Sequence, residues 1–267
     1  MKLFQSKSPK WYKPIGNGQL SPLWTINKAD GLGERAPTLR DARKLGLLPS
    51  VTEILKVIHK PVLERYKLNQ ILQSALTLPR IPGEDIDAFA LRVELDSDQH
   101  REKAADLGTR IHAAIAGSLQ GQPVSEDMQP YLKEWLPFSK LIIHLNTELS
   151  IGSEQLGYAG TLDLEALDLN RNRAIFDFKS QDVKNDKPNF YDEWALQLSA
   201  YAECLIDLTS QDRPPRLVSV VISTNESSIG RAYQHVWPRE QSYYYEAFCQ
   251  AFGLWRYLRD GFDPRVV

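Results

Sequence analysis

Three residues near the middle of the chain have the types and spacing for phosphate chemistry: Asp163, Asp177 and Lys179, within the stretch GYAGTLDLEALDLNRNRAIFDFKS at 157–180. In a β-strand, residues two apart project from one face. Asp177 and Lys179 therefore share a side, while Phe176 and Phe178 take the other. If the stretch folds as a hairpin symmetric about Asn170, Asp163 falls directly opposite Asp177, with Cβ atoms roughly 4.5–5.5 Å apart. Like charges opposed across a ladder repel, and a divalent cation between them turns repulsion into attraction. Mg²⁺ takes one or two carboxylates together with waters and substrate phosphate oxygens. A lysine alongside can orient an attacking water or neutralise phosphate charge. The chemistry implied is metal-assisted phosphodiester hydrolysis. The plain alternative is a surface ion pair between Asp163 and Lys179, worth little to stability, with Asp177 solvated.

The elements that must position these groups are legible around them. Residues 160–167 and 174–178 are rich in Leu, Ile, Phe and Thr, and the polar run 168–173 between them suits a turn. Upstream, 141–151 alternates as a strand. Ile143, Leu145, Thr147 and Leu149 are expected on one face, and His144, Asn146 and Glu148 on the other. Glu148 is thus a candidate acid just before the hairpin, with Glu154 in a turn and Glu165 on Asp163's face as competitors. Downstream, 190–208 is an amphipathic helix carrying Trp194, Leu198, Tyr201 and Leu205 at helical spacing. Gln197 and Tyr201, four apart, are neighbours on it. Strands at 216–224 and 232–237 and a final helix at 240–259 complete the C-terminal half.

The N-terminal half reads as helices. Ser50-Val51-Thr52-Glu53 is a capping-box sequence opening a short helix, and Pro61 opens a second, to residue 76. Lys56, His59, Lys60, Arg65 and Lys67 concentrate basic charge there, either as a phosphate-tracking face or as an ordinary solvated one. Helices follow at 85–100 and 102–119. The second carries Leu107, Ile111 and Ile115 near one face, with His112 at the edge. A lone helical histidine carries no chemistry by itself. Residues 1–49, with several prolines and glycines, read as an irregular arm. Its Trp11, Tyr12 and Trp24 either pack onto the body or form a base-stacking surface.

Composition bounds the function. The chain has 267 residues, 42% hydrophobic and 25% charged, with a net charge of −2. That is ordinary for a globular protein and unlike a globally basic nucleic-acid binder. Two cysteines, Cys204 and Cys249, are too few for a four-cysteine zinc site or an iron–sulfur cluster within the chain. No run is long and apolar enough to predict a membrane span, and the start, MKLFQSKSPKWYKP, lacks the apolar region of a secretion signal, so a cytoplasmic location is expected. The order of elements predicts an α/β fold, a central mixed β-sheet flanked by helices, in one domain over 1–267.

Assembled in order, PSVTEIL, LGTRIH, TELS, YAGTLD, DFKS and QLSAY make the sequence resemble the PD-(D/E)XK nuclease superfamily, in its RecB-like exonuclease branch, from about residue 50 to about 208. The resemblance implies a restriction-endonuclease-like core at 101–267 with a helical elaboration at 50–100. It implies that His112, Asp163 and Asp177 ligate Mg²⁺ or Mn²⁺, as one or two ions. Lys179 would assist the attacking water, and Glu148 would serve as a further acid. Gln197 and Tyr201 match the family's motif on the following helix and would support the site or touch DNA. With them, Lys56, Lys60 and Arg65 are the candidate substrate contacts. Leu162 stands where the family's name has proline, and Asp177 where it allows Glu. The implied activity is a DNA exonuclease, favouring single strands, in repair, recombination or replication, with a recombination or replication protein as a partner. A structure-specific endonuclease, a duplex-degrading recombination exonuclease and a non-catalytic DNA-binding subunit are the alternatives.

Overall fold

The computed structural model describes residues 9–16, 18–28, 31–209 and 213–266. In chain order its elements are β1 (Trp11–Gly16), β2 (Gln19–Leu23), β3 (Ile26–Asn27), β4 (Glu34–Arg35), α1 (Leu39–Leu45), β5 (Leu48–Pro49), α2 (Val51–Ile54), α3 (Pro61–Thr77) and α4 (Ile86–Leu119). Then come α5 (Trp135–Ser139), β6 (Ile143–Ser153), β7 (Tyr158–Leu167), β8 (Arg173–Gln181), α6 (Asp192–Thr209), β9 (Arg216–Ser223), β10 (Ala232–Val236) and α7 (Gln241–Tyr257). Among the described residues no helix is long and apolar enough to cross a membrane.

The chain divides into two units, one ending at Ile58 and resuming at His112, the other His59–Ile111. The first is a mixed α/β structure built on a five-stranded sheet in the order β10-β9-β8-β7-β6. Every neighbouring pair is antiparallel except β8 with β9. A parallel pair needs a crossover, and α6 supplies it. β9 is buried along nearly its whole length, which is why RLVSVVIS has apolar residues on both faces rather than a strict alternation. The core includes Ile54, Leu162, Ile175, Leu198, Val221 and Trp255. α7 contributes Tyr244, Phe248, Ala251, Phe252 and Trp255, a stripe at helical spacing that packs on α6.

The described residues of the N-terminal segment are not irregular. β1 pairs antiparallel with both β2 and β5. Trp11 and Tyr12 are buried, with Trp11 meeting the edges of Trp255 and Phe262 at 6.2 and 6.3 Å. Burying aromatic residues of that size stabilises a fold by about 1.5–3 kcal/mol each, enough to draw a proline-containing segment into a small sheet as its middle strand.

The second unit holds α3 and the first three-quarters of α4. The two helices predicted at 85–100 and 102–119 are one helix, because no proline or glycine interrupts the chain between Ile86 and Leu107. An Arg101–Asp98 ion pair lies one turn apart at the expected break. Within this unit Arg92 donates to the Pro79 carbonyl at 2.7 Å and pairs with Glu84 at 3.2 Å, fixing the turn between the helices.

Candidate active site

The β7–β8 hairpin closes on the turn expected. Asp168 accepts the N–H groups of Asn170 and Asn172 at 2.9 and 2.8 Å, the local bonding that makes aspartate a turn former. Strand pairing runs from Leu167↔Arg173 to Leu164↔Phe176, symmetric about Asn170. There the ladder stops. The carboxylate of Asp163, one step further on, accepts the Phe178 N–H at 2.8 Å in place of a backbone carbonyl. Asp163 and Asp177 thus stand at a fork where β7 and β8 part.

Two residues converge on Asp163. His112 lies in the last third of α4 and is 5% exposed. Its Nδ1 is buried, makes no hydrogen bond, and is 3.4 Å from Asp163 Oδ2. Glu148 sits in β6 between Thr147, opposite Leu164, and Leu149, opposite Leu162. Its φ is +50°, a left-handed conformation that costs an L-residue about 1–2 kcal/mol. Strain of this kind inside a strand is held by its surroundings and clusters at functional sites. One ligand atom from each of His112, Glu148 and Asp163 lies within 4.8 Å of the other two. Two carboxylates and a buried imidazole nitrogen without a hydrogen bond suit a divalent cation of hard to borderline character, so these three residues could hold a metal ion.

Asp177 stands outside that trio. Its buried carboxylate accepts from Lys179 Nζ at 2.8 Å and from Gln197 Nε2 at 3.1 Å. Burial works against the Lys179 ammonium, but Asp177 and Asp163 outweigh it, and the lysine pKa is raised above its ordinary value. Gln197 also donates to the Tyr201 hydroxyl at 3.3 Å. Burial above all, then the charges of Tyr12, Asp177 and Asp163, holds that phenol well above the usual tyrosine range. Tyr201 fits where it does because position 160 is glycine: a Cβ there would collide with the tyrosine ring. A glycine inside a strand pattern signals such close approach, and Gly160 is the mark of it in the sequence. Tyr12, whose hydroxyl hydrogen-bonds Thr161 at 2.8 Å, was likewise not anticipated here.

The other candidates are placed elsewhere. Glu165 is buried in a pair with Arg173 and accepts from Asn146 at 2.8 Å. Glu154 is exposed in the turn after β6. Lys56 is bound to the buried Glu53 at 2.6 Å, and Arg259 also reaches that carboxylate, at 3.3 Å. Lys60 and Arg65 belong to the second unit. The expected faces of β6 need correction. A bulge between His144 and Asn146 shifts the register, so His144 shares the side of Thr147, whose hydroxyl it contacts, rather than that of Asn146 and Glu148. One extra residue reverses a period-two pattern.

No protein-family model matches the chain, and no curated protein sequence does. Among solved structures, the crystal structure of SSO0001 aligns over 72% of this chain and 86% of its own, with 13% identity and a TM-score of 0.32. A likeness at that level carries no argument about function.

Proposed function

We propose that the first unit is a divalent-metal-dependent DNA exonuclease acting on single strands, with a restriction-endonuclease-like core of the PD-(D/E)XK kind. The observation that carries this reading is the pairing of a three-donor group, His112, Glu148 and Asp163, with a lysine held by a separate buried carboxylate. When bound, Mg²⁺ or Mn²⁺ would lower the pKa of a coordinated water and polarise the scissile phosphate. His112, Glu148 and Asp163 would hold the ion, and Asp177 lies beside them as the further carboxylate of the sequence motif. Lys179 remains an ammonium and donates to a phosphate oxygen or to the incoming water. Asp177 fixes the direction of that ammonium, and Gln197 in turn fixes Asp177 and Tyr201. Charge stabilisation and positioning of this kind account for most of the acceleration in phosphoryl chemistry.

The test is digestion of end-labelled single-stranded, duplex and closed circular DNA with and without Mg²⁺ or Mn²⁺. Metal-dependent loss of linear single strands with intact circles is expected. Cleaved circles would replace the reading with an endonuclease. Preferential loss of duplex would move it to a duplex exonuclease. No cleavage with any metal, together with no Mn²⁺ binding by calorimetry, would leave a non-catalytic binding unit.

A further inference from the structure

Beside Lys179 lies an aromatic group that the hydrolytic reading leaves unused. Lys179 Nζ is 5.8 Å from the ring centroid of Trp194 on α6. The Trp194 ring meets Tyr191 perpendicularly at 5.1 Å, and Phe190 perpendicularly at 6.1 Å. Phe190 is already stacked on His235, at 4.9 Å and 29°. Tyr191 is different: it is half-buried, and among the described residues Trp194 is its ring neighbour. Perpendicular contact uses at most one of its two faces.

The segment that presents Tyr191 is held firmly. The Gln181 side chain donates to the Asn189 carbonyl at 2.8 Å and accepts the Asn189 N–H at 3.1 Å, imitating a strand pair. Asp186 receives the Tyr233 hydroxyl at 2.7 Å and pairs with Arg231. Asn185 and Asp186 both adopt left-handed backbone, each with φ +54°. The Trp194 N–H donates to the Tyr191 carbonyl at 2.9 Å, tying the residue to the start of α6. An aromatic ring fixed in advance binds a flat partner at little cost in side-chain order.

We infer that Tyr191 is a stacking platform for an unpaired nucleobase of a nucleotide next to the scissile phosphate, so that the site recognises single-stranded nucleic acid through a base as well as through its backbone. This rests on the proposed nuclease reading. Every base has a π-face, so stacking gives affinity with little sequence preference. Trp194, nearly enclosed beneath the lysine, supports the platform rather than offering a face itself.

Two readouts test it on the full-length protein. The first is fluorescence of single-stranded oligonucleotides carrying 2-aminopurine in the terminal nucleotides at either end, titrated without metal. Quenching is expected with the wild type and with Tyr191→Phe, and its loss with Tyr191→Ala. The second is steady-state cleavage. Tyr191→Ala should raise KM by about 10-fold with kcat little changed, while an abasic nucleotide at the stacked position should erase the difference between the two proteins. Equal quenching in all three proteins would overturn the inference, as would the same KM penalty on abasic and normal strands, which would mark a structural role. A wild type that quenches but never cleaves would refute the nuclease reading and leave the platform standing.

Discussion

His112 Nδ1 and Asp163 Oδ2 face each other across 3.4 Å, and the imidazole nitrogen makes no hydrogen bond although it is buried. A buried polar atom in that condition costs about 1–3 kcal/mol unless something completes it. His112→Ala should therefore lower Mn²⁺ affinity about 10-fold or more. Calorimetry that returned wild-type affinity would remove His112 from the ligand group.

Glu148 gives a second handle, independent of activity. Its left-handed backbone favours glycine over alanine by about 1 kcal/mol. Glu148→Gly should be more stable in urea than Glu148→Ala by about that amount, and both should bind Mn²⁺ more weakly than the wild type. Equal stability of the two variants would mean that β6 relaxes out of the strained conformation once the carboxylate is gone.

Lys179 and Asp177 should separate turnover from binding. Lys179→Ala is expected to keep Mn²⁺ affinity and to lose about 100-fold or more in cleavage rate. Asp177→Ala should abolish metal-dependent digestion while single-stranded DNA still binds, because it releases both Lys179 and Gln197. Rapid cleavage by Asp177→Ala would exclude the proposed arrangement.

Tyr12 gives a pH prediction. Burial raises its pKa to about 12, and the Thr161 hydrogen bond only partly offsets this. The folded state keeps the phenol proton while the unfolded chain releases it near pH 10. Its contribution to stability is thus complete below pH 10 and declines as pH rises from 10 to 12. Urea midpoints of the wild type should fall across that window, and those of Tyr12→Phe should fall less. Parallel declines would assign alkaline unfolding to other groups, such as the buried Tyr158 and Tyr201.

Local features could be read from the chain. The hairpin centred on Asn170, the face shared by Asp177 and Lys179, and the Gln197–Tyr201 neighbourhood follow from strand and helix periods and a polar turn. Features fixed by distant partners could not. Trp11 and Tyr12 join a sheet through Leu48 and Pro49, which nothing adjacent to them announces. The bulge before Asn146 and the left-handed φ of Glu148 leave no mark on a hydrophobic pattern. Opposed carboxylates across a symmetric hairpin, like the motif, predict a cation shared by Asp163 and Asp177, whereas the geometry gives Asp177 first to Lys179 and Gln197.

The hairpin also acts as a ruler. Four paired steps separate the Asp168 turn from the fork at Asp163. The turn itself can be rebuilt or lengthened without moving either carboxylate. A single residue inserted between Leu164 and Leu167 would carry Asp163 to the opposite side of the sheet. Two inserted residues would return it to the right side, but roughly 7 Å out of place. In this molecule the count of residues in β7, more than the identity of most of them, fixes where the two acids meet.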